Sequence, residues 1–214
     1  LTPGPDTPSR TRARFPRPQL HLQRGPLRRG RPNLREAIDV PPAAIRSVGP
    51  RQGARLIDLA REAMVTRTRD LVAFAGADRR DVRLIDCDGG LEFAWLGVEP
   101  EWRLLLEAVY AFLVLQNGVP IGYGLASALA GSSEVAFNVF DTYRGGEAAY
   151  AYGRCLGVVR AMFGVDTFTV FPYQLGDGNE EGIESGAWWF YYKLGFRPRD
   201  PGVRRLVRRE LVRM

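Results

Sequence analysis

Ser185-Gly186-Ala187-Trp188-Trp189-Phe190-Tyr191-Tyr192-Lys193-Leu194-Gly195-Phe196 is the densest aromatic run in the chain. It leaves no purely polar face, so the helix it predicts is covered on both sides. Gly195 stands where a C′ residue ends a helix, and Lys193 in the last turn suits the helix dipole. Phe196 restarts an extended segment that is cut at Pro198. On residues alone this is a buried helix and nothing more.

Upstream, Asp166 to Phe171 reads as a strand closed by Pro172, and a polar loop, 173–184, leads from it to the aromatic helix. Gly146 to Phe163 predicts a long helix. Ala148, Tyr152, Cys155, Val159 and Met162 recur at spacings of four and three, and Gly164 caps the end. Gly153 and Gly157, one turn apart, let this helix approach the sheet closely. Before it, Leu104 to Gln116, Ile121 to Leu129 and Glu134 to Phe140 form an antiparallel meander around the hairpin signal Asn117-Gly118. In the last of these, Glu134, Ala136, Asn138 and Phe140 face one way, and Val135, Phe137 and Val139 the other. Val82 to Asp86 and Leu91 to Leu96 flank Asp88-Gly89-Gly90 as a further hairpin. Ala44 to Val48 is a short first strand, and a helix follows Gly49-Pro50 with Leu56, Ile57, Ala60, Ala63 and Met64 on one stripe. A weaker helix or loop covers 68–76. After Pro201, Val203, Leu206, Val207 and Leu211 lie at helical spacing in an Arg-rich amphipathic helix, 201–214. The order predicts a mixed α/β fold, a largely antiparallel twisted sheet flanked by helices.

Residues 1–43 hold nine of the fifteen prolines and no apolar period, which predicts a disordered or surface-draped arm before a domain over 44–200. The chain opens on Leu1, and its last helical stripe reaches Met214 without a stop signal, so it is expected to be one segment of a longer protein, with its joins at 1–43 and 202–214.

The net charge of +6 is unevenly laid out. Residues 1–51 carry +8 and 197–214 carry +5, whereas 52–196 carry −7. The basic ends fit a nucleic-acid footprint, or a GC-rich coding bias with solvated arms, and the second reading is preferred. His21, in the Pro-rich arm, is the sole histidine, and Cys87 and Cys155 match no metal spacing. A zinc site and a Ser-His-Asp hydrolase are therefore not expected. No run approaches a membrane span and no secretory signal pattern opens the chain, so a cytoplasmic location with reduced cysteines is expected.

Two stretches carry a resemblance. Ala187-x-x-Phe190-Tyr191-x-Lys193-Leu194-Gly195-Phe196 resembles the Ala-x-x-Leu-Tyr-x-Lys-x-Gly-Phe signature of the GNAT superfamily of N-acetyltransferases. Phe137-Asn138-Val139, running on through Tyr143-Arg144-Gly145-Gly146-Glu147-Ala148-Ala149, is similar to that family's acetyl-CoA segment, where a strand opens into a long helix. The likeness covers roughly 44–198 and is densest over 134–198; the arm and the hairpin at 82–96 have no counterpart.

The resemblance implies an acyl-CoA-dependent N-acyltransferase that moves an acyl group to an unidentified amine by direct attack. Phe137, Val139, Arg144, Gly145, Gly146, Ala148 and Ala149 would hold acetyl-CoA or another acyl-CoA, with Asn179 nearby. A helix N-terminus with glycines before it suits the pyrophosphate. Tyr191 would be the general acid and Glu134 the base, with Glu107 as its runner-up; no metal is implied. Two positions depart from the pattern. Glu147 stands where the family prefers glycine, and Glu184 replaces an asparagine. Glu147 either points to solvent, leaving the N–H groups on the phosphate, or repels it. Two rival expectations follow: a catalytically silent binding or sensing module, and a relative of the aminoacyl-tRNA-dependent transferases.

Overall fold

The computed structural model describes residues 13–16, 18, 20–26, 30–67, 69, 72–143 and 147–214. In chain order the elements are α1 (Leu34–Asp39), β1 (Ala44–Ser47), α2 (Pro50–Val65), α3 (Val72–Ala75), β2 (Ala77–Asp86), β3 (Leu91–Val98), β4 (Ala108–Gln116), β5 (Val119–Leu129), β6 (Ser132–Val139), α4 (Ala148–Phe163), β7 (Thr167–Thr169), α5 (Glu180–Glu184), α6 (Ala187–Leu194) and α7 (Pro201–Arg213). The seven strands form one sheet in sequence order. Every neighbouring pair is antiparallel except β6 and β7, which run parallel across the α4 crossover. The fold is mixed α/β with a mostly antiparallel sheet.

Both faces of the sheet are covered, by different helices. On one face Phe93, Trp95, Phe112, Val114, Val135 and Phe137 meet α4, α6 and α7 through Tyr152, Cys155, Val159, Trp188, Leu194 and Val203. Trp95 stacks flat on Phe112, with centroids 4.7 Å apart. On the other face α2 buries Leu56, Leu59, Ala60, Ala63 and Met64 against Val82, Leu84, Ala94, Leu96, Leu113 and Leu115. Each buried aliphatic side chain contributes about 1.5–3 kcal/mol. Pro50 opens α2 at N1, where its missing N–H is harmless. A Cβ on Gly53 would lie 2.3 Å from the Arg79 carbonyl, so glycine sets how closely α2 meets β2.

The turns follow backbone chemistry. Asn117 and Gly118 both have positive φ, 51° and 73°, the requirement of a type I′ hairpin. Asp88, Gly89 and Gly90 are likewise left-handed. The β5–β6 turn uses Ala130 and Gly131, at 47° and 82°, with no such signature in its sequence.

Several expectations are corrected. The strand expected from Leu104 begins at Ala108, where the ladder with Ala128 starts; Leu104, Leu105 and Leu106 are exposed. The hairpin expected over 82–96 extends to 77–98, with a bulge in β2 between Ala77 and Val82. No strand follows Gly195. A Schellman-type end, with Gly195 N–H on Tyr192 O and Phe196 N–H on Tyr191 O, turns Phe196 back onto Tyr152 and Tyr191. The loop 173–184 contains a 3-10 turn at Pro172–Leu175 and the short α5.

The end of the Pro-rich arm belongs to the packed body. Asn33 caps α1, whose Ala37 is buried against α4. Gly153 and Gly157 face α1 and not the sheet: a Cβ on Gly153 would meet Ala37 Cβ at 2.8 Å, and one on Gly157 the carbonyls of Ala37, Ile38 and Val40 at 3.1–3.3 Å. Arg154, 3 % exposed, donates to the carbonyls of Ala37, Val40 and Pro41, which a helix end leaves without partners of its own. Further upstream, Ala13 N–H donates to Glu62 and His21 exchanges two hydrogen bonds with Asn117, so this part of the arm is draped over the body.

Among the described residues no helix is long and apolar enough to cross a membrane.

Candidate active site: an open strand edge between two helices

β7 pairs with β6 over three positions only, Ser132 to Glu134. Pro172 and the 3-10 turn then carry the chain away. β6 continues to Val139 with its outer edge unpartnered by any strand among the described residues. Phe140 N–H donates to Ile121 O (2.9 Å), so even-numbered residues of β6 pair with β5. The backbone groups of Val135, Phe137 and Val139 therefore turn outward.

Side chains fill most of this edge. Tyr152 Oη donates to Val135 O at 3.4 Å. Tyr191 makes two bonds to one residue: its Oη accepts from Phe137 N–H (3.0 Å) and donates to Phe137 O (2.7 Å). One phenol thus replaces the residue that a neighbouring strand would supply. Val139 is the next position, and there the edge opens into a cleft of about 240 Å³. Phe137 and Val139 form one wall, Ala148 at the start of α4 another, and Gly186, Phe190 and Tyr191 of α6 the third. The floor is aromatic: Phe137 lies parallel to Phe190 (6.4 Å), and Tyr152 meets Tyr191 edge-on (5.8 Å). Gly186, left-handed at φ 73°, turns the chain sharply into α6 at the cleft mouth.

Of the residues singled out in the sequence, the fold brings Phe137, Val139, Ala148 and Tyr191 to this cleft. Arg144, Gly145 and Gly146 lie outside the described residues. Ala149 packs against the core beside the cleft. Asn179 is not a lining residue. Its Oδ1 accepts from Gly182 N–H (2.7 Å) as the cap of α5, and its Nδ2 donates to Tyr173 O. Glu147 is the N-cap residue of α4 but makes no side-chain cap bond there. Glu184 is exposed at the end of α5.

Glu134 faces the opposite side of the sheet from Phe137, three residues and so about 10 Å back along β6. Its neighbours there are Ser127, directly across the ladder, and Glu107, which accepts from Ser127 Oγ. Partial burial, and then the Glu107 charge, raise the Glu134 carboxyl above the usual range. Burial also pushes the Tyr191 phenol up, only partly offset by its bond to Phe137. Tyr191 is therefore held as the neutral phenol. Burial raises the Cys87 thiol to about 12 and raises Cys155 as well. These are inert core thiols. Among the described residues no cluster of His, Cys, Asp or Glu is set to hold a metal.

In the sequence Tyr152 lies on the buried stripe of α4; that its hydroxyl completes the edge of β6 follows from the need of a buried phenol for a partner. Phe190 and Gly186 had no signal beyond their place in the aromatic motif.

No protein-family model, no curated protein and no solved structure matches this chain.

Proposed function

We propose that this chain is an acyl-CoA-dependent N-acyltransferase of the GNAT kind, with the acyl thioester in the cleft at Val139. The observation that carries the reading is the open edge of β6. Outward backbone groups at Val139, the N-terminal end of α4 and the Tyr191 phenol converge on one small cleft. The edge is an extended-ligand site in waiting: an amide-bearing arm can pair with Val139 as a strand would. The volume suits the acyl-thioester end of the co-substrate, with the nucleotide left outside.

In this reading the amine attacks the thioester carbonyl directly. N–H groups around Val139 stabilise the developing oxyanion. The sulfur leaves towards Tyr191, whose Oη–H turns from Phe137 O to donate to it. A raised phenol pKa would oppose full proton transfer in water, but a thiolate in the same apolar cleft has its own proton affinity raised. Glu134 accepts the amine's proton from the far face of the sheet. Five residues back from Val139, about 17 Å along the strand, it reaches the amine only through a chain of waters and not by contact.

A second reading, a catalytically silent binding or sensing module, draws on two observations: the phenol already satisfies the edge at Phe137, and a carboxylate stands at the N-terminus of α4. Isothermal titration with acetyl-CoA and desulfo-CoA separates the two. Binding of acetyl-CoA together with acyl transfer to an amine panel supports the transferase. No heat at millimolar co-substrate ends it, and affinity that appears only in Glu147→Gly supports the silent module.

A further inference from the structure

The C-terminal helix presents a row of guanidinium groups to solvent. From Lys193 to Arg213 the chain carries eight bases, Lys193, Arg197, Arg199, Arg204, Arg205, Arg208, Arg209 and Arg213, against Asp200 and Glu210. Both acids are engaged. Asp200 accepts from Gly202 and Val203 N–H as the cap of α7, and Glu210 is 5 % exposed between Arg209 and Arg213. Arg204, Arg205 and Arg208 point to solvent, and none of them has an ion-pair partner among the described residues. Arg204 Nε donates to Pro198 O (2.9 Å), tying the first turn of α7 to the segment that bears Arg197 and Arg199. Arg197 in turn lies 3.8 Å over the Tyr192 ring, which stacks on Trp189.

We propose that this face binds the phosphate backbone of a nucleic acid. Residues four apart on a helix lie about 6 Å apart along its axis. Arg204 and Arg208 therefore form a row of planar donors with Arg205 beside them, the geometry that grips phosphate oxygens in pairs. The face is complementary to a polyanion: residues 197–214 carry +5, while the body, 52–196, carries −7 and so confines such a partner to the basic end. A lipid bilayer fits less well. The apolar stripe of α7 is turned inward, with Val203 and Val207 buried, which leaves little apolar surface to enter a membrane. This inference is independent of the cleft and its chemistry.

The test is fluorescence anisotropy of the full chain with a labelled 20-nucleotide single-stranded RNA and, separately, a DNA duplex of equal length. Binding near the micromolar range at about 50 mM salt, weakening by tenfold or more at about 200 mM, is the expected result. The double variant Arg205→Glu/Arg208→Glu should lose at least about tenfold and flatten the salt slope by about 2. Arg205→Lys/Arg208→Lys should keep the salt slope of the parent and lose only about two- to fivefold in affinity, because the charge remains while the paired guanidinium donors are gone. Arg51→Glu/Arg55→Glu makes the same charge change on exposed positions of α2 and should move affinity by less than about threefold. Circular dichroism checks that each variant folds; if the glutamate pair disrupts α7, Arg205→Gln/Arg208→Gln takes its place. The proposal is overturned by no binding to either probe at low salt, by equal losses in the α2 and α7 variants, or by retention on anionic phosphatidylglycerol vesicles with none on nucleic acid. A preference between the RNA and DNA arms identifies which backbone the face accepts.

Discussion

The Tyr191 phenol is the residue on which the cleft turns. It closes two buried backbone groups of Phe137 at once, so removing its oxygen strands both. Tyr191→Phe should therefore destabilise the fold by about 1–3 kcal/mol, seen as a lower Tm, in addition to any loss of turnover. An unchanged Tm would mean that the phenol does not hold the edge. Glu134 makes the opposite kind of contribution. Its folded pKa is raised, so folding favours the protonated form, and stability falls as pH rises from the unfolded value near 4.5 through the higher folded one. Glu134→Gln should gain stability over the parent above that window and match it below about pH 4. Because the carboxyl is half-exposed, the gain should stay under about 1 kcal/mol. Urea midpoints taken across pH 3–8 read this directly. Ala130 is a third case. An alanine at φ 47° carries strain that asparagine or glycine relieves, so Ala130→Asn should raise stability by roughly 0.5–1 kcal/mol. A fall would show that the β5–β6 turn is built differently.

At the scale of elements, the docking of α1 on α4 depends on two glycines and one arginine. In a free helix glycine is a liability of about 1 kcal/mol against alanine. Here a side chain at Gly157 would reach the carbonyls of Ala37, Ile38 and Val40. Gly157→Leu should therefore undock residues 33–43 despite its better helix propensity, and new tryptic cuts at Arg35 should report it. Arg154→Met leaves three carbonyls without a donor and should act in the same direction, costing about 2–4 kcal/mol. The spacing of Gly153 and Gly157 was plain in the sequence, but what they face was not. A small-residue stripe says that something comes close without saying what, and here it is a helix from the Pro-rich arm.

For the whole molecule, periodicity and turn chemistry carried much of the architecture. The α2 stripe, the long helix ending at Gly164, the Asn117-Gly118 turn and the alternation of β6 are local signals, and they sit in the structure as read. Local signals failed where a segment's partner lies far off in the chain. Leu104–Leu106 is apolar enough for a strand and Phe196 begins one by pattern, yet neither is one, because a strand exists only where a neighbour's ladder receives it. The candidate site divides in the same way. Phe137, Val139, Ala148 and Tyr191 were legible because they sit in two short ordered motifs. Asn179 caps α5 away from the cleft lining, because an asparagine's amide serves a helix cap as readily as a ligand. Local patterns along the chain set the order and kind of most elements, the acidic body between basic ends, and the two motifs that meet at the cleft. Long-range packing settles that β7 stops after three residues, that a phenol takes the vacated place at Phe137, and that Glu134 looks out from the other face. The physical reason is that hydrogen-bond satisfaction at a sheet edge is settled by whatever packs beside it, and that neighbour is chosen by the fold as a whole.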